Sequence, residues 1–105
     1  MKVFRLDDLD AERAANEGAY LRFLREPSMS AGLYALKAGE TDAQQPHAQN
    51  EIYLVVSGRA AITVGEETTT VARGSVIFVA AGTPHRFHHI TEDIRVVVVF
   101  SPPEP

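Results

Sequence analysis

The chain has 105 residues, of which 45% are hydrophobic and 23% charged, and these values describe one soluble domain and exclude a second one. Its formal net charge is -4 and it has no Lys/Arg run, which argues against a surface that follows nucleic-acid phosphates. The absence of cysteine excludes disulfides, thiolate-held zinc, iron–sulfur clusters and thiol catalysis, so any metal must be held by histidine, carboxylate or amide oxygen.

The N-terminal part predicts one short strand and one helix. Residues 3–6 have the composition of a strand, and residues 9–18 have helical periodicity, with Asp7 or Asp8 as the N-cap and Gly18 as the stop. The start lacks the apolar segment of a secretion signal, and the longest apolar run, residues 96–100, is far shorter than a membrane span. We therefore expect a cytoplasmic protein without membrane association.

From residue 20 onward the chain predicts β structure, because short runs rich in Val, Ile, Thr, Tyr and Phe alternate with turn residues. The predicted strands are residues 20–25, 29–37, 51–57, 60–64, 68–72, 75–79, 85–89 and 94–101. Gly65 and Glu66 form the clearest hairpin loop, since a glycine that opens a two-residue loop suits a type II′ turn. The fold class is therefore all-β, a sandwich or barrel with one short N-terminal helix.

Two of these strands, residues 51–57 and 94–101, are apolar on both faces. Only one face can line a core, so the other must be covered by a second sheet or by a partner subunit. We therefore expect a homodimer, since two-fold dimers are the commonest closed assemblies. Residues 101–105 are rich in proline, cannot pair as a strand and predict an extended tail.

The histidines indicate a candidate site. Three of the four lie between residues 85 and 89, and the fourth, His47, is far away in sequence. Because side chains alternate between the two faces of a strand, His85 and His89 share one face, and Glu51 and Tyr53 share the parity of His47. A β-barrel metal site takes its ligands from distant strands in this way.

The spacing of these residues resembles that of the small single-domain cupins. The first motif of that family is a Gly, five residues, His-any-His, three or four residues, Glu, six residues and a Gly. Every spacing is met here, by Gly39, Gln45, His47, Glu51 and Gly58. One identity differs, because Gln45 stands in the place of the first His. This motif covers residues 39–58.

The second cupin motif resembles residues 74–89. It consists of a Gly, five residues, Pro-any-Gly, two residues, a His, three residues and an Asn. Gly74, Gly82 and His85 meet it, with Ala80 in the Pro place and His89 in the Asn place. Glycine and ligand spacings that match across two motifs are a much stronger signal than a single His-any-His pair.

The resemblance implies a cupin-type double-stranded β-helix, or jelly-roll barrel, over residues 1–105, with one divalent transition metal (Fe, Mn, Ni or Zn). Carried over residue by residue, the metal ligands are His47, Glu51 and His85, with Gln45 at the fourth position. If Gln45 ligates, the site suits a Lewis acid; if it stands back, two histidines and a carboxylate form the open facial triad of ferrous iron. A degenerate barrel that has lost its metal is the competing interpretation.

The function expected from this resemblance is that of a metal-dependent enzyme, of dioxygenase, isomerase or lyase type, acting on a small polar or anionic metabolite. With one carboxylate and otherwise neutral ligands the metal keeps about one positive charge, which favours an anionic or enolisable substrate. Glu51, Tyr53 and His89 are the candidate catalytic bases. The alternatives are a non-catalytic sensor or sugar-binding barrel and an accessory domain for a partner protein, because one barrel hosts many unrelated activities.

Overall fold

The computed structural model describes all 105 residues as one helix followed by six antiparallel strands. The helix α1 spans Leu6–Ala15, and the strands are β1 Tyr20–Glu26, β2 Met29–Leu36, β3 Asn50–Val64, β4 Glu67–Ala72, β5 Val76–Val79 and β6 His85–Ser101. They form one sheet in the order β1-β2-β6-β3-β4, and β5 pairs with the first part of β3. The all-β class with one N-terminal helix is confirmed.

The two longest strands, β3 and β6, bend and thereby fold the sheet into two layers. Their pairing loses its regular register between Val55 and Ala61 of β3. Before this bend β3 lies between β6 and β5, and after it between β6 and β4. The inner faces of the two halves pack together, since the rings of Tyr53 and Phe87 lie 5.2 Å apart, centroid to centroid.

Because the strands bend without ending, two pairs of predicted strands are in fact two single strands. Residues 51–57 and 60–64 are one strand, and so are residues 85–89 and 94–101. The separation into four strands was wrong because irregular residues turn the chain without breaking its hydrogen-bonded ladder, as bulges do.

A buried cluster of 13 side chains fills the space between the layers: Leu36, Tyr53, Val55, Ala60, Ile62, Val71, Val79, Phe87, Ile90, Ile94, Val96, Val98 and Phe100.

The predicted strand at residues 3–6 is wrong, because Leu6 already begins α1 and residues 1–5 have no regular structure. Their apolar side chains do not join a sheet: Val3 is 66% exposed, and Phe4 packs edge-on against Phe23 with the ring centroids 4.9 Å apart. A segment this short forms a strand only where a sheet edge is available to it, and local composition does not reveal such an edge.

The helix also begins and ends earlier than predicted, at Leu6–Ala15 rather than at residues 9–18. Its N-cap residue is Arg5, which makes no side-chain capping bond, so the predicted cap by Asp7 or Asp8 is wrong. Both aspartates lie in the first turn instead, where negative charge interacts favourably with the helix dipole. No helix in the structure has the length and apolar character needed to cross a bilayer.

The hairpin at Gly65 and Glu66 is confirmed. Val64 pairs with Glu67, which leaves these two residues as the loop between β3 and β4. Gly65 has φ 60, and Glu66 does not have a positive φ. A positive φ at the first loop position alone fits a type II′ turn and not a type I′ turn.

The outer face of β3 and β5 carries an exposed apolar patch, here called the outer patch. It consists of Ile52, Leu54, Val76 and Phe78, which are 46%, 40%, 66% and 61% exposed. The four residues are contiguous, because Ile52 pairs with Phe78 and Leu54 pairs with Val76. The helix α1 packs against β1 and β2 and leaves this patch open. Contiguous exposed apolar area is typical of an interaction surface.

Gly58 lies at the bend of β3 and provides a test of it. Its φ is 92, and a Cβ built on it would lie 2.1 Å from the carbonyl oxygen of Asp93. We expect Gly58→Ala to lower the free energy of unfolding by more than about 3 kcal/mol, because the methyl group forces the two bent strands apart. Urea unfolding measures this loss.

The matched control for this substitution is Gly74→Ala. Gly74 has nearly the same backbone angle, φ 91, but a Cβ on it meets nothing within 4 Å. Its expected cost is only the conformational one, about 1–2 kcal/mol. Equal losses in the two variants would contradict the view that the bend depends on close approach at Gly58.

We expect the outer patch to be the interface of the predicted homodimer. Wild-type protein should then have a mass of about twice the 11.5 kDa of one chain, and Phe78→Glu should reduce it to that of one chain, because a charge is not tolerated in an apolar interface. Light scattering over a range of concentrations measures the mass, with Thr70→Glu on exposed β4 as the control. A wild-type mass of 11.5 kDa at every concentration would rule out the dimer.

Candidate metal centre

Three side chains that can ligate a metal meet at one end of the space between the layers. Potential ligand atoms of His47, Glu51 and His85 all lie within 4.8 Å of one another. Glu51 points inward from β3, His85 is the first residue of β6, and His47 lies in the loop of residues 37–49 that leads to β3. The structure thus brings His85 to His47 and Glu51, from which it is far away in sequence.

The carboxylate of Glu51 is buried without a hydrogen bond. The residue is 1% exposed, and neither of its side-chain oxygens has a hydrogen-bond partner. His85 Nε2 lies 3.1 Å from Glu51 Oε2, but this contact lacks hydrogen-bond alignment. Burial raises the pKa of Glu51, and the neighbouring His85, Tyr53 and His47 counteract only part of that rise. A buried anionic group in this state is one that a cation would stabilise.

The imidazole of His85 is oriented as a metal ligand. Its Nδ1 lies 2.9 Å from the carbonyl oxygen of Thr83, and only a protonated nitrogen can donate to a carbonyl. The proton is thereby assigned to Nδ1, and the lone pair of Nε2 faces Glu51 and the Tyr53 hydroxyl, which is 3.1 Å away. A backbone carbonyl on the second ring nitrogen is the usual way in which proteins fix a ligating histidine.

These residues fit a divalent transition metal. The 3.1 Å separation of His85 Nε2 and Glu51 Oε2 is close to the roughly 3.0 Å expected for adjacent ligands with bonds of about 2.1 Å at a right angle. The rings of His47 and His85 have their centroids 5.6 Å apart. Two imidazoles and one carboxylate suit Fe, Mn, Ni and Zn. A metal would also satisfy the unpaired oxygens of Glu51.

Gln44 contacts this cluster, whereas Gln45 is exposed to solvent. The Gln44 Oε1 atom lies 3.3 Å from His47 Nε2 and accepts a hydrogen bond of 3.0 Å from the Tyr53 hydroxyl. The structure therefore does not bring Gln45, the residue at the fourth ligand position of the motif, to the cluster. Residues 37–49 form a loop, so the strand alternation that linked Gln45 to His47 does not apply there.

Asp42 fixes the orientation of Gln44. This buried carboxylate accepts hydrogen bonds from Gln44 Nε2 at 2.8 Å, from the Phe87 backbone N–H at 2.8 Å and from the Tyr34 hydroxyl at 2.7 Å. Because its amide group donates to Asp42, Gln44 presents its oxygen to His47 and Tyr53. Sequence reasoning missed both Asp42 and Gln44, since nothing in the pattern of an irregular loop shows which of its side chains point inward.

Tyr53 and His89, the other two catalytic candidates, have different positions. Tyr53 is 1% exposed and contacts His85. Burial and the negative charge of Glu51 raise its pKa, so its hydroxyl remains a neutral hydrogen-bond donor. His89 is exposed, has φ 47 and contacts His88 instead of the cluster. The predicted shared face of His85 and His89 is wrong, because the bend of β6 interrupts the alternation.

A small cavity adjoins the cluster. Its volume is about 170 Å³, which suits a ligand of only a few non-hydrogen atoms. It is lined by Tyr20, Tyr34, Gln44, His47, Tyr53, Val98, Phe100 and Glu104. None of these residues is a lysine or an arginine. The lining therefore offers neutral hydroxyl and amide groups, an imidazole, one carboxylate and two apolar side chains.

A larger groove, of about 730 Å³, lies next to α1 and away from the cluster. Three of its charged side chains are paired with one another: Asp10 forms ion pairs with Arg13 at 2.9 Å and with Arg95 at 3.3 Å. Paired charges of this kind connect the helix to the sheet. The smaller cavity, which adjoins unpaired and ligand-type groups, is the better candidate for a functional site.

Comparison with known proteins gives one family and several similar structures. Residues 32–100 match the Cupin_2 family, described as a cupin domain. An uncharacterised protein of Streptomyces coelicolor is 75% identical over 104 residues, which covers 99% of both chains. TT1209 from Thermus thermophilus superposes with a TM-score of 0.79 at 24% identity, covering 99% of this chain and 100% of that chain. The DMSP lyase DddQ from Ruegeria pomeroyi gives a TM-score of 0.74 at 21% identity, covering 79% of this chain and 46% of that chain. Both structural similarities concern the fold.

The unpaired carboxylate of Glu51 predicts a pH dependence of stability. Its pKa is raised in the folded state above the ordinary value of 4.5, so the unfolded chain loses this proton first. The free energy of unfolding of metal-free protein should therefore fall as pH rises from 4.5 to the raised pKa. Glu51→Gln should lack this fall and be more stable above that window, by about 1–3 kcal/mol. Urea unfolding across pH measures the difference.

The control for this prediction is Glu66→Gln, in the exposed hairpin loop. It should change the free energy of unfolding by less than about 0.5 kcal/mol at any pH. A Glu51→Gln variant with the same pH profile as wild type would show that Glu51 is not the group responsible.

Proposed function

This chain belongs to the cupin domain family, and we propose that it holds one divalent transition metal on His47, Glu51 and His85 and uses it as an enzyme on a small polar metabolite. The observation that carries the proposal is the buried carboxylate of Glu51, unpaired and next to two imidazoles. An unpaired buried charge destabilises the folded state. Removing one partner of a buried ion pair, which leaves the other charge unpaired, typically lowers stability by about 3–5 kcal/mol. Such a group is expected where a cation neutralises it.

The ion, when bound, supplies Lewis-acid polarisation of a ligand oxygen. The chain's own residues supply the rest. The Thr83 carbonyl holds His85 in the ligating tautomer, and Gln44 orients the neighbouring Tyr53 hydroxyl. Tyr53 remains neutral, and because its proton is donated to Gln44 its oxygen is left as a hydrogen-bond acceptor. Phe100, which packs on His47 with the ring centroids 5.1 Å apart, excludes water from one side of the site.

The reaction class that we propose is one of those that act on an oxygen-bearing small molecule: dioxygenation, isomerisation or a lyase reaction. The similarity to DddQ, a DMSP lyase, supports the compatibility of this fold with lyase chemistry. At 21% identity it supports nothing about the substrate. The reaction therefore has to be found by experiment on the metal-loaded protein.

A non-catalytic binding barrel is the second candidate, and the cavity lining favours it. Burial raises the pKa of Tyr20, Tyr34 and Tyr53, so these three hydroxyls stay neutral near neutral pH. A lining dominated by neutral groups is suited to recognition. Turnover of a panel of small hydroxy acids, keto acids and polyols by metal-loaded protein separates the two candidates, since a binding barrel gives saturable binding without product.

Metal content tests the proposal directly. Protein reconstituted with Fe, Mn, Ni or Zn should bind about one equivalent, measured by elemental analysis after removal of free metal. His47→Ala and His85→Ala should each weaken the binding by at least about 100-fold, because an imidazole ligand is lost. Less than about a tenth of an equivalent in the wild type with all four metals would overturn the proposal.

Three further variants show which neighbouring residues contribute to metal binding. His88→Ala should leave metal affinity unchanged, because His88 bonds to Thr63 at 2.7 Å on a different part of the sheet. Gln44→Ala should weaken binding by about 10- to 100-fold, the usual effect of removing a group that orients a ligand. Gln45→Ala should have almost no effect. The opposite order for the two glutamines would show that Gln45 turns inward as a ligand.

A further inference from the structure

The C-terminal residues 102–105 are anchored to the sheet by hydrogen bonds, and one of them, Glu104, lines the small cavity. The Glu104 backbone N–H donates to the hydroxyl of buried Ser30 at 3.0 Å. Arg22 donates to the carbonyl oxygens of Glu104 and Pro105, at 3.3 and 3.1 Å. The Gln49 side chain donates to the Pro103 carbonyl at 3.5 Å. The segment that the sequence predicted to be a simple extended tail is part of the site.

This anchoring places the side chain of Glu104 in the wall of the cavity. Glu104 lines the cavity together with His47 and Tyr53, and its Oε1 accepts a hydrogen bond of 2.5 Å from the Tyr20 hydroxyl. Burial and this hydrogen bond raise the pKa of Tyr20, so the partner of the carboxylate is a neutral hydroxyl. Arg22 and Arg25 donate to main-chain oxygens of residues 104 and 105, and neither guanidinium forms an ion pair with the Glu104 carboxylate.

The charge of Glu104 changes what the cavity accepts. A divalent ion on His47, Glu51 and His85 keeps one positive charge, because Glu51 supplies the only anionic ligand. That charge by itself would favour an anionic ligand, as the sequence analysis expected. Glu104 adds one negative charge to the same cavity, and the lining has no lysine or arginine to offset it. Glu104 therefore lowers the net positive charge that a ligand meets in the cavity.

We infer that Glu104 is a specificity-determining residue, which makes the cavity select small uncharged ligands with hydroxyl or amide donors over carboxylates and phosphates of the same size. The inference rests on the proposed metal function. A donor of the ligand reaches the Glu104 carboxylate, while one of its oxygens faces the metal ligands. Glu104 is placed to recognise ligand directly, and Tyr20 is a positioning residue that holds it.

The test uses two probes of the same size, glycolate and its uncharged analogue glycolamide. The full chain is loaded with Co²⁺, and each probe is titrated while the visible absorption of the cobalt is recorded. Wild-type protein should bind glycolamide at least as tightly as glycolate. Glu104→Gln should shift the ratio of the two affinities toward glycolate by about tenfold, because one repulsive charge a few ångströms away has been removed. Glu66→Gln, the same change in an exposed loop, should leave the ratio unchanged.

The ratio separates charge from structural effects. If Glu104→Gln only loosened the tail, both probes would gain or lose affinity equally and the ratio would stay constant, which would overturn the inference. A wild-type preference for glycolate that Glu104→Gln does not increase would also overturn it. A chain that binds no cobalt would overturn the proposed function, and with it this inference, whereas cobalt binding with a constant ratio leaves the proposed function intact.

Discussion

The bend shared by β3 and β6 determines how the two layers pack and which side chains meet between them. Around Gly58 the backbone of one strand approaches that of the other too closely for any side chain, with the Asp93 carbonyl where a Cβ would lie. This approach turns both strands from one layer into the next. The first half of β3 then faces the first half of β6 across the core, so Glu51 and His85 meet although His85 is paired with Val64, at the far end of β3.

The site formed in this way contains a group that lowers the stability of the metal-free fold. The fold buries a carboxylate that the protein leaves unpaired, while it satisfies the second buried carboxylate, Asp42, with several donors. The contrast separates their roles. Asp42 connects Tyr34, Gln44 and the β6 backbone by hydrogen bonds. Glu51 lies beside His85 with its oxygens free of hydrogen bonds. A core that only required packing would have an apolar side chain at the Glu51 position.

Electrostatics at the cavity come from parts of the chain that are far apart. Glu51 and His85 are contributed by the long strands, His47 by the loop before β3, and Glu104 by the C-terminal segment. The C-terminal segment therefore contributes a charge to a cavity that is otherwise lined by residues of the sheet and of the loop before β3. The outer patch lies on the opposite face of β3 from Glu51, since neighbouring residues of a strand point to opposite faces. An assembly through that patch would leave the inner face of the layer, and with it the candidate metal ligands, unobstructed.

The fold class and the Gly65–Glu66 hairpin could be predicted from the amino-acid sequence, and the candidate ligands His47, Glu51 and His85 from its resemblance to the cupin motifs. These features depend on the alternation of apolar and polar residues, on turn residues and on fixed motif spacings. All three can be recognised in short stretches of the sequence. Three features could be learned only from the folded chain: Gln44 and not Gln45 contacts the cluster, His89 points outward, and Glu104 lines the cavity. Each of these depends on a loop, a bulge or a tail, where side-chain direction follows from contacts with distant residues and not from a repeating backbone period.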